Sequence, residues 1–318
     1  MRSYLRFHQT FSDYYNTNDI IDKTKNETIS GSGNYYIHDA VFSFHFQSRA
    51  ITINSDINSN FKILLEECSF YNNSYESGGG SFYISRSDCI LNRVCCSFSS
   101  VNNEYFAAAY YIQGNYNYLT KNYAFECSIS QCQGYYDCIS AHSGGDFILS
   151  KMNSSFNIAR NTAALISDNN NGIINFTTAK NTTSFSQQSI YIYGIINITK
   201  CNILNNEIIQ EGFILIHGKS HCAYSYCSFI NNIASYLFYE KSYNVESCYF
   251  HENNITRTVQ LAPVSYPSIN PLDSFISHYN CSKSNILLYK TLEKSKLKKK
   301  IKDFKKIPLN FSVLDFLV

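Results

Sequence analysis

The chain has 318 residues, with 26 Lys and Arg against 24 Asp and Glu, a formal net charge of +2, and 44% hydrophobic residues. This near balance of charge gives no expectation of a nucleic-acid partner. No run approaches the ~20 apolar residues that a membrane-spanning helix needs, so no transmembrane span is predicted.

Residues 1–33 contain no clear repeat and are predicted to form an irregular N-terminal cap. The segment begins Met1-Arg2-Ser3-Tyr4-Leu5-Arg6-Phe7, and no apolar run of seven or more follows this basic start. It therefore does not have the pattern of a secretory signal. The end of a repeat array exposes core and sheet edges, and covering them is the expected role of this segment.

A six-residue motif recurs from residue 68 onward. The clear copies are Cys68-Ser-Phe-Tyr-Asn-Asn73, Cys201-Asn-Ile-Leu-Asn-Asn206, Cys227-Ser-Phe-Ile-Asn-Asn232 and Cys248-Tyr-Phe-His-Glu-Asn253, and weaker copies begin at Cys96 and Cys127. Successive copies are about 20–31 residues apart, a period typical of a solenoid. The predicted structural ladder comprises Cys68, Phe70, Asn73, Cys96, Phe98, Cys127, Ile129, Cys201, Ile203, Asn206, Cys227, Phe229, Asn232, Cys248, Phe250 and Asn253.

The motif has the alternation of a short β-strand. Cys and Phe are two residues apart, so they share one face, and we expect that face to point inward. Free Cys behaves as a small buried hydrophobe, which predicts reduced thiols in a stacked core. The Asn pair tolerates the left-handed backbone region and can bond its own turn, as a corner requires.

Two further apolar segments recur in each period. One follows small residues, as in Gly78-Gly79-Gly80-Ser81-Phe82-Tyr83-Ile84, and the other precedes the Cys, as in Ile63-Leu64-Leu65. Three short strands per period predict a single all-β domain over residues 34–285, a right-handed parallel β-helix of roughly eight to ten coils. The three glycines are expected to form a coil corner rather than a phosphate cradle, because the Lys and helix of a phosphate-binding loop are missing.

The Phe-x-x-Asn copies, combined with a Gly-Gly-rich segment entering an apolar strand, resemble the right-handed β-helix repeats of polymorphic-membrane-protein-type surface proteins. Similar repeats occur in protist β-helix families. The resemblance covers roughly residues 40–285 and implies an extracellular or cell-surface location. Nine Asn-x-Ser/Thr sequons permit a glycosylated state.

Residues 286–318 differ in composition from the rest of the chain. From Lys290 to Val318 there are nine Lys against Glu293, Asp303 and Asp315, a charge of +6, which leaves 2 − 6 = −4 for the other residues. Leu297, Ile301 and Phe304 have helical spacing, which predicts a basic tail or a short capping helix. A surface for anionic lipid or nucleic acid is the alternative.

Three acids are weak catalytic candidates: Asp137, Asp146 and Asp168. Parallel β-helices include polysaccharide lyases and hydrolases, whose sites need carboxylates clustered on one lateral face. Asp137 and Asp168 are 31 residues apart, close to one coil step. Isolated acidic residues on exposed turns are more often hydrated surface groups without a catalytic role.

Two groups of possible metal ligands also occur in the sequence. They are His217, His221, Cys222 and Cys227, and Cys127, Cys132 and Cys138. Cys227, Cys127 and Cys132 already fit ladder positions, and the sequence contains no Cys-x-x-Cys pair. We therefore expect no metal and no other cofactor.

These observations favour a non-enzymatic scaffold for surface display, adhesion, or protein or carbohydrate interaction. The alternative is a carbohydrate-active enzyme, a lyase or hydrolase, with its site on a lateral face of the helix. A protein or glycan ligand is the expected partner, and the chain is expected to be a monomer.

Overall fold

The fold is a parallel β-solenoid, as a computed structural model of the chain shows. The structure describes residues 11–56, 59–76, 78–101, 107–115, 120–135, 138–219, 222–238, 244–256 and Ser268. All of these belong to the first of two compact units, residues 1–281. The predicted basic tail lies outside the described residues. The prediction of a parallel β-helix is confirmed.

Three sheets run along the solenoid, and all strand pairings in them are parallel. The first has 17 strands: Ile21–Lys23, Ile29–Gly31, Tyr35–His38, Ile51–Asn54, Lys62–Glu66, Phe82–Ser85, Asp88–Asn92, Ala107–Gln113, Lys121–Phe125, Cys138–Ser143, Asp146–Ser150, Thr162–Asn175, Gln188–Thr199, Ile214–Lys219, Cys222–Ser225, Tyr236–Phe238 and Asn244–Glu246. The described helix is one turn, Phe11–Tyr14.

The other two sheets have shorter strands. The second has nine: Val41–Ser43, Ser69–Tyr71, Cys95–Ser97, Ser128–Ser130, Asn153–Ser155, Thr178–Lys180, Asn202–Leu204, Ser228–Ile230 and Tyr249–His251. The third has eight: Ser74–Tyr75, Ser100–Val101, Gln133–Gly134, Ile158–Ala159, Thr183–Ser184, Glu207–Ile208, Ile233–Ala234 and Asn254–Ile255.

One coil passes through four strands, not the three that the sequence predicts. The chain runs through Lys62–Glu66 in the first sheet, Ser69–Tyr71 in the second and Ser74–Tyr75 in the third, then returns to the first at Phe82–Ser85. The missed strand has only two residues, too few to show an alternating pattern. Gly80 lies on the return, where a Cβ would collide with the carbonyl oxygens of Ser100 and Ala108.

Non-glycine residues in the left-handed region form both corners that flank the second sheet. Their φ angles lie between 48° and 62°, a conformation that side chains other than Asn and Asp seldom adopt. The first corner uses Asp39, Glu67, Arg93, Glu126, Lys151, Phe176, Lys200, Tyr226 and Ser247; the second uses Phe44, Asn72, Phe98, Gln131, Phe156, Asn181, Asn205, Asn231 and Glu252.

Ion pairs link the first corner vertically. Arg93 contacts Glu67 at 2.9 Å and Glu126 at 3.0 Å, and Lys151 contacts Glu126 at 3.0 Å. Charged side chains therefore alternate in sign over four coils along this edge.

The register of the second sheet corrects one member of the predicted ladder. Its inward column is Phe42, Phe70, Cys96, Ile129, Ser154, Ala179, Ile203, Phe229 and Phe250. Cys96 therefore aligns with Phe70, and Val94 takes the place corresponding to Cys68. Phe98 lies two residues later, at the second corner, where it is 42% exposed. The prediction that Phe98 points inward is wrong, because the adjacent Cys95 and Cys96 shift the apparent motif by two residues.

The other ladder residues lie on the inner side. Phe250 and Asn253 are half-buried, and the rest are buried: Cys68, Phe70, Asn73, Cys96, Cys127, Ile129, Cys201, Ile203, Asn206, Cys227, Phe229, Asn232 and Cys248. Among the described residues, Cys68, Cys201, Cys227 and Cys248 form no disulfide and are thiols, as predicted. Burial raises the pKa of Cys68 and Cys127 to about 12, which keeps both thiols protonated.

The final Asn of each clear motif forms hydrogen bonds with a neighbouring coil, where the sequence predicts a bond within its own turn. The Asn232 side-chain oxygen accepts from the Asn206 backbone N–H at 3.0 Å and from its side-chain N–H at 3.1 Å. The Asn232 amide in turn donates to the Ile203 carbonyl at 2.8 Å. Asn253 repeats this arrangement with Asn232 and the Phe229 carbonyl. Each amide thus satisfies backbone groups at a corner that leaves the sheet ladder.

The first coil begins earlier than predicted. Ile21–Lys23 pairs with Tyr35–Ile37, and Ile29–Gly31 pairs with Ile51–Ile53, so strands already occur inside the predicted cap of residues 1–33. Asn26 lies at the edge of the second sheet and accepts from the Ser43 N–H at 3.3 Å. This bond satisfies a donor on an edge strand, which is part of the capping role that the sequence predicts.

A cavity of about 30 Å³ lies inside the middle coils. It forms because Ser140, Ser154 and Ala179, which line it, are small, whereas the columns they belong to hold Phe at other coils. The substitution Ala179→Val should fill part of this space and stabilise the fold by roughly 0.5–2 kcal/mol. Urea denaturation measures the gain.

The matched control is Ala159→Val, at a buried alanine that does not line the cavity. Overpacking there should cost about 1–3 kcal/mol. If both valines destabilise the protein equally, the cavity does not provide usable space.

Candidate interaction surface

Of the three candidate acids, the structure describes Asp146 and the backbone of Asp168, which lie at different positions along neighbouring coils. Asp137 lies outside the described residues. Asp146 begins a strand, accepts a hydrogen bond from the Tyr123 hydroxyl and lies opposite Lys121. The backbone of Asp168, on the next coil, lies opposite Ser143. Ser143 precedes Asp146 by three residues. Asp146 has a tyrosine and a lysine, not a second acid, as its identified neighbours.

The two groups of possible metal ligands form no metal site among the described residues. Within the described ranges, no group of three or more His, Cys, Asp and Glu side chains is arranged to hold a metal ion. Cys127 and Cys132 each have a pKa raised to about 12 by burial, so neither supplies a thiolate. His221 lies outside the described residues.

Exposed apolar side chains instead lie together on the outer face of the third sheet and its adjoining corner. We call this set the apolar stripe: Tyr135, Phe156, Ile158, Phe185, Ile209 and Ile233, whose side chains are 41–62% exposed. Ile158 and Ile233 belong to one column of the third sheet. Tyr135, Phe185 and Ile209 belong to the next outward column, as their backbone bonds to the coil before show.

Strand alternation explains why these side chains face outward. In each two-residue strand of the third sheet, one residue points in and its neighbours point out. Gly134, Ala159, Ser184, Ile208 and Ala234 take the inward positions and are buried. The neighbouring outward positions are usually polar on a solvated sheet face, yet here about half carry apolar groups, the others being polar or charged, among them Gln133, Arg160 and Thr183.

The apolar stripe extends over five consecutive coils. With strands ~4.8 Å apart, its height is about 19 Å. Exposed Gln133, Arg160 and Glu207 lie in the same outward columns. Exposed apolar side chains interspersed with polar and charged ones have the composition of a protein-contact surface.

A second group of aromatic side chains lies nearer the N-terminus at the same corner. Phe44 contacts Phe46 and Tyr71, with ring centroids 6.2 and 5.8 Å apart, and Tyr71 contacts Phe98 at 5.4 Å. Phe44, Phe46 and Phe98 are exposed. Phe98, predicted to stabilise the core, is therefore part of an outward aromatic group.

Sequence reasoning missed the apolar stripe. Its members lie beside strands of two residues, so no window of ordinary length shows them as one face. A usable signal does exist: Phe156, Ile158, Phe185, Ile209 and Ile233 all lie within a few residues of the corner position that Asn231 marks in the clearest repeat. Alignment on the corner residue, rather than on the Cys, would have placed them in common columns.

The described part of the chain contains no helix that is long and apolar enough to cross a membrane. Comparison with protein families, with curated proteins and with solved structures finds no match for this chain.

Proposed function

We propose that the chain is a non-enzymatic scaffold that binds a protein partner through the apolar stripe. The observation that carries this proposal is the run of six exposed apolar side chains over five consecutive coils. A solvated sheet face has no structural need for them, and an exposed group of apolar side chains is typical of an interaction site. Surface display or adhesion, which the repeat resemblance implies, would use the same surface.

A protein partner fits the apolar stripe better than a glycan. Three of its six members are isoleucines, Ile158, Ile209 and Ile233, whose aliphatic surface matches apolar protein side chains. A glycan site would rely on aromatic faces and on convergent polar groups. A flat sheet also offers a rigid platform, which lowers the entropic cost of association.

Paired capture experiments test this function. Wild-type protein, the stripe variant Phe185→Ser/Ile209→Ser and the control variant Tyr193→Ser/Ile195→Ser would each be used to isolate partners from the native cell. The control removes an exposed tyrosine and an exposed isoleucine of the first sheet, away from the apolar stripe. We expect a protein whose affinity falls at least ~30-fold with the stripe variant, since each central apolar contact is worth about 2 kcal/mol, and is unchanged with the control.

A protein bound equally by all three forms would contradict the assignment to the apolar stripe. A glycan array, run with the same three proteins, addresses the other ligand class. Glycan binding that disappears with Phe185→Ser/Ile209→Ser would replace the protein partner by a carbohydrate. Release of sugars from polysaccharides by wild-type protein would favour the enzyme instead.

A further inference from the structure

An apolar column runs along the outer face of the first sheet. Tyr36, Leu64, Ile90, Tyr123, Ile148 and Ile173 lie opposite one another on six consecutive coils. Leu64 and Ile90 point away from the solenoid core and yet are completely buried. Another part of the chain must therefore cover them.

The covering segment is the helical turn and following residue at 11–15. Phe11 and Tyr15 are four residues apart, are both buried, and form one apolar cluster with Leu64 and Ile90. The Phe11 ring lies 5.0 Å from that of Tyr15 and 6.1 Å from that of Tyr36. Tyr36, Tyr123 and Phe125 pack around the same cluster. The result is a groove with two aromatic side chains inserted in it.

Polar contacts fix how the turn lies in the groove. The Tyr15 hydroxyl donates to the Ile63 carbonyl at 3.2 Å, and Lys121 Nζ donates to the Tyr14 carbonyl at 2.9 Å. Lys62 and Lys121 lie over the Tyr15 ring at 5.9 and 5.1 Å. Tyr15 is thus recognised by its ring face and by its hydroxyl, and the end of the turn by a lysine.

Residues 11–15 are attached to the solenoid as a tethered ligand would be, and they do not form part of a coil. They pair with no strand of the described sheets, and the next residues, 16–20, are mostly exposed before the first strand begins at Ile21. The apolar column also continues past the covered region, through half-buried Ile148 to Ile173, which is 40% exposed. The surface is therefore longer than the turn that occupies it.

We propose that this groove is a peptide-binding site that the chain's own residues 11–15 occupy. The partner it fits is a helical segment with Phe and Tyr one turn apart, long enough to reach Ile148 and Ile173 as well. Such a partner would displace the N-terminal turn. This site is on the first sheet and is independent of the apolar stripe on the third.

A peptide-binding experiment on the full chain tests the proposal. In the double variant Phe11→Ala/Tyr15→Ala the turn loses both inserted side chains, which leaves the groove open. A fluorescent peptide with the sequence of residues 9–18 should bind this variant, measured by anisotropy, about 10-fold more tightly than wild-type protein, because the tethered turn competes at an effective concentration near millimolar. The same peptide with both aromatic residues replaced by Ala should not bind.

Further variants identify the groove. Adding Leu64→Ser to the double variant should abolish peptide binding, with far-UV circular dichroism confirming that the β-fold persists. Equal binding to wild-type and double-variant protein, or no binding to a folded double variant, would overturn the proposal. If the double variant does not fold, a protease site placed within residues 16–20 of the wild-type chain replaces it. After cleavage, an excess of the peptide should displace the released N-terminal segment on gel filtration, and retention of that segment would overturn the proposal.

Discussion

The substitution Phe229→Ala should destabilise the protein by about 3–5 kcal/mol, since it removes a fully buried aromatic ring from a stacked core. Phe229 is completely buried and stacks on Phe250, with ring centroids 4.9 Å apart and planes within 6°. Phe238 and Tyr224 pack edge-on at 5.4 and 6.2 Å. Three aromatic rings, those of Phe250, Phe238 and Tyr224, therefore lose a contact, and the regular coils around them limit how far the space can close. Urea denaturation measures the change in the free energy of unfolding.

Phe98→Ala is the matched control for this experiment. It makes the same chemical change in the preceding half of the solenoid, but at an exposed ring. We expect a loss below about 1 kcal/mol, typical of a surface position. Equal losses for the two variants would mean that the register of the second sheet is not the one described.

Lowering the pH from 7.5 to 5.0 should cost the fold about 2 kcal/mol through one residue, His142. The ring is completely buried. Its Nδ1 lies 2.7 Å from the Asn122 side-chain oxygen, and its Nε2 lies 2.9 Å from the Tyr110 hydroxyl. The Asn122 amide group donates to the Ser143 and Gly144 carbonyls, which orients its oxygen toward the ring. Nδ1 therefore carries the proton, and Nε2 accepts from Tyr110.

Burial lowers the pKa of His142 from 6.5 to about 3. In the unfolded chain the imidazole takes up a proton as the pH falls through 6.5, whereas in the folded chain it stays neutral until about pH 3. Between these values the unfolded state binds more protons, so stability falls with falling pH, by about 1.4 kcal/mol per unit. Below about pH 3 both states are protonated and the loss no longer grows.

Urea denaturation at pH 7.5 and 5.0 measures this effect. In His142→Gln the difference in stability between the two pH values should shrink by about 2 kcal/mol, whatever the stability of the variant itself. His251→Gln, at an exposed histidine, should retain the wild-type difference. The same pH dependence in wild-type and His142→Gln protein would exclude His142 as its source.

The inward ladder could be predicted from the sequence because its signal is local. Cys227 and Phe229 are two residues apart and Asn232 follows three later, so strand, face and corner are all contained in six residues. The same rule failed at Phe98, where two adjacent cysteines offered two registers and only the neighbouring coils decide between them. Pairing between coils acts over a whole period, and a single copy of the motif does not contain it.

The two proposed binding surfaces could not be predicted from the sequence for a related reason. Ile158 and Phe185 become neighbours only after the chain has completed a coil between them. Leu64 and Ile90 read as ordinary strand residues, and nothing near them in the sequence indicates that Phe11 and Tyr15 cover them. The candidate acids illustrate the converse case, since the 31-residue interval between Asp137 and Asp168 resembled a coil step, whereas the coil spacing here varies with each inserted loop.

The hydrogen bonds that the side-chain amides of Asn206, Asn232 and Asn253 make between coils all run in the same direction along the solenoid. In this series each coil supplies a side-chain acceptor to the coil before it and receives one from the coil after it. The two ends of this series therefore differ: one ends on side-chain acceptors and the other on backbone donors. A coil can be gained or lost during evolution as a complete unit that brings its own amide, whereas a break within a coil would leave a buried corner N–H without an acceptor.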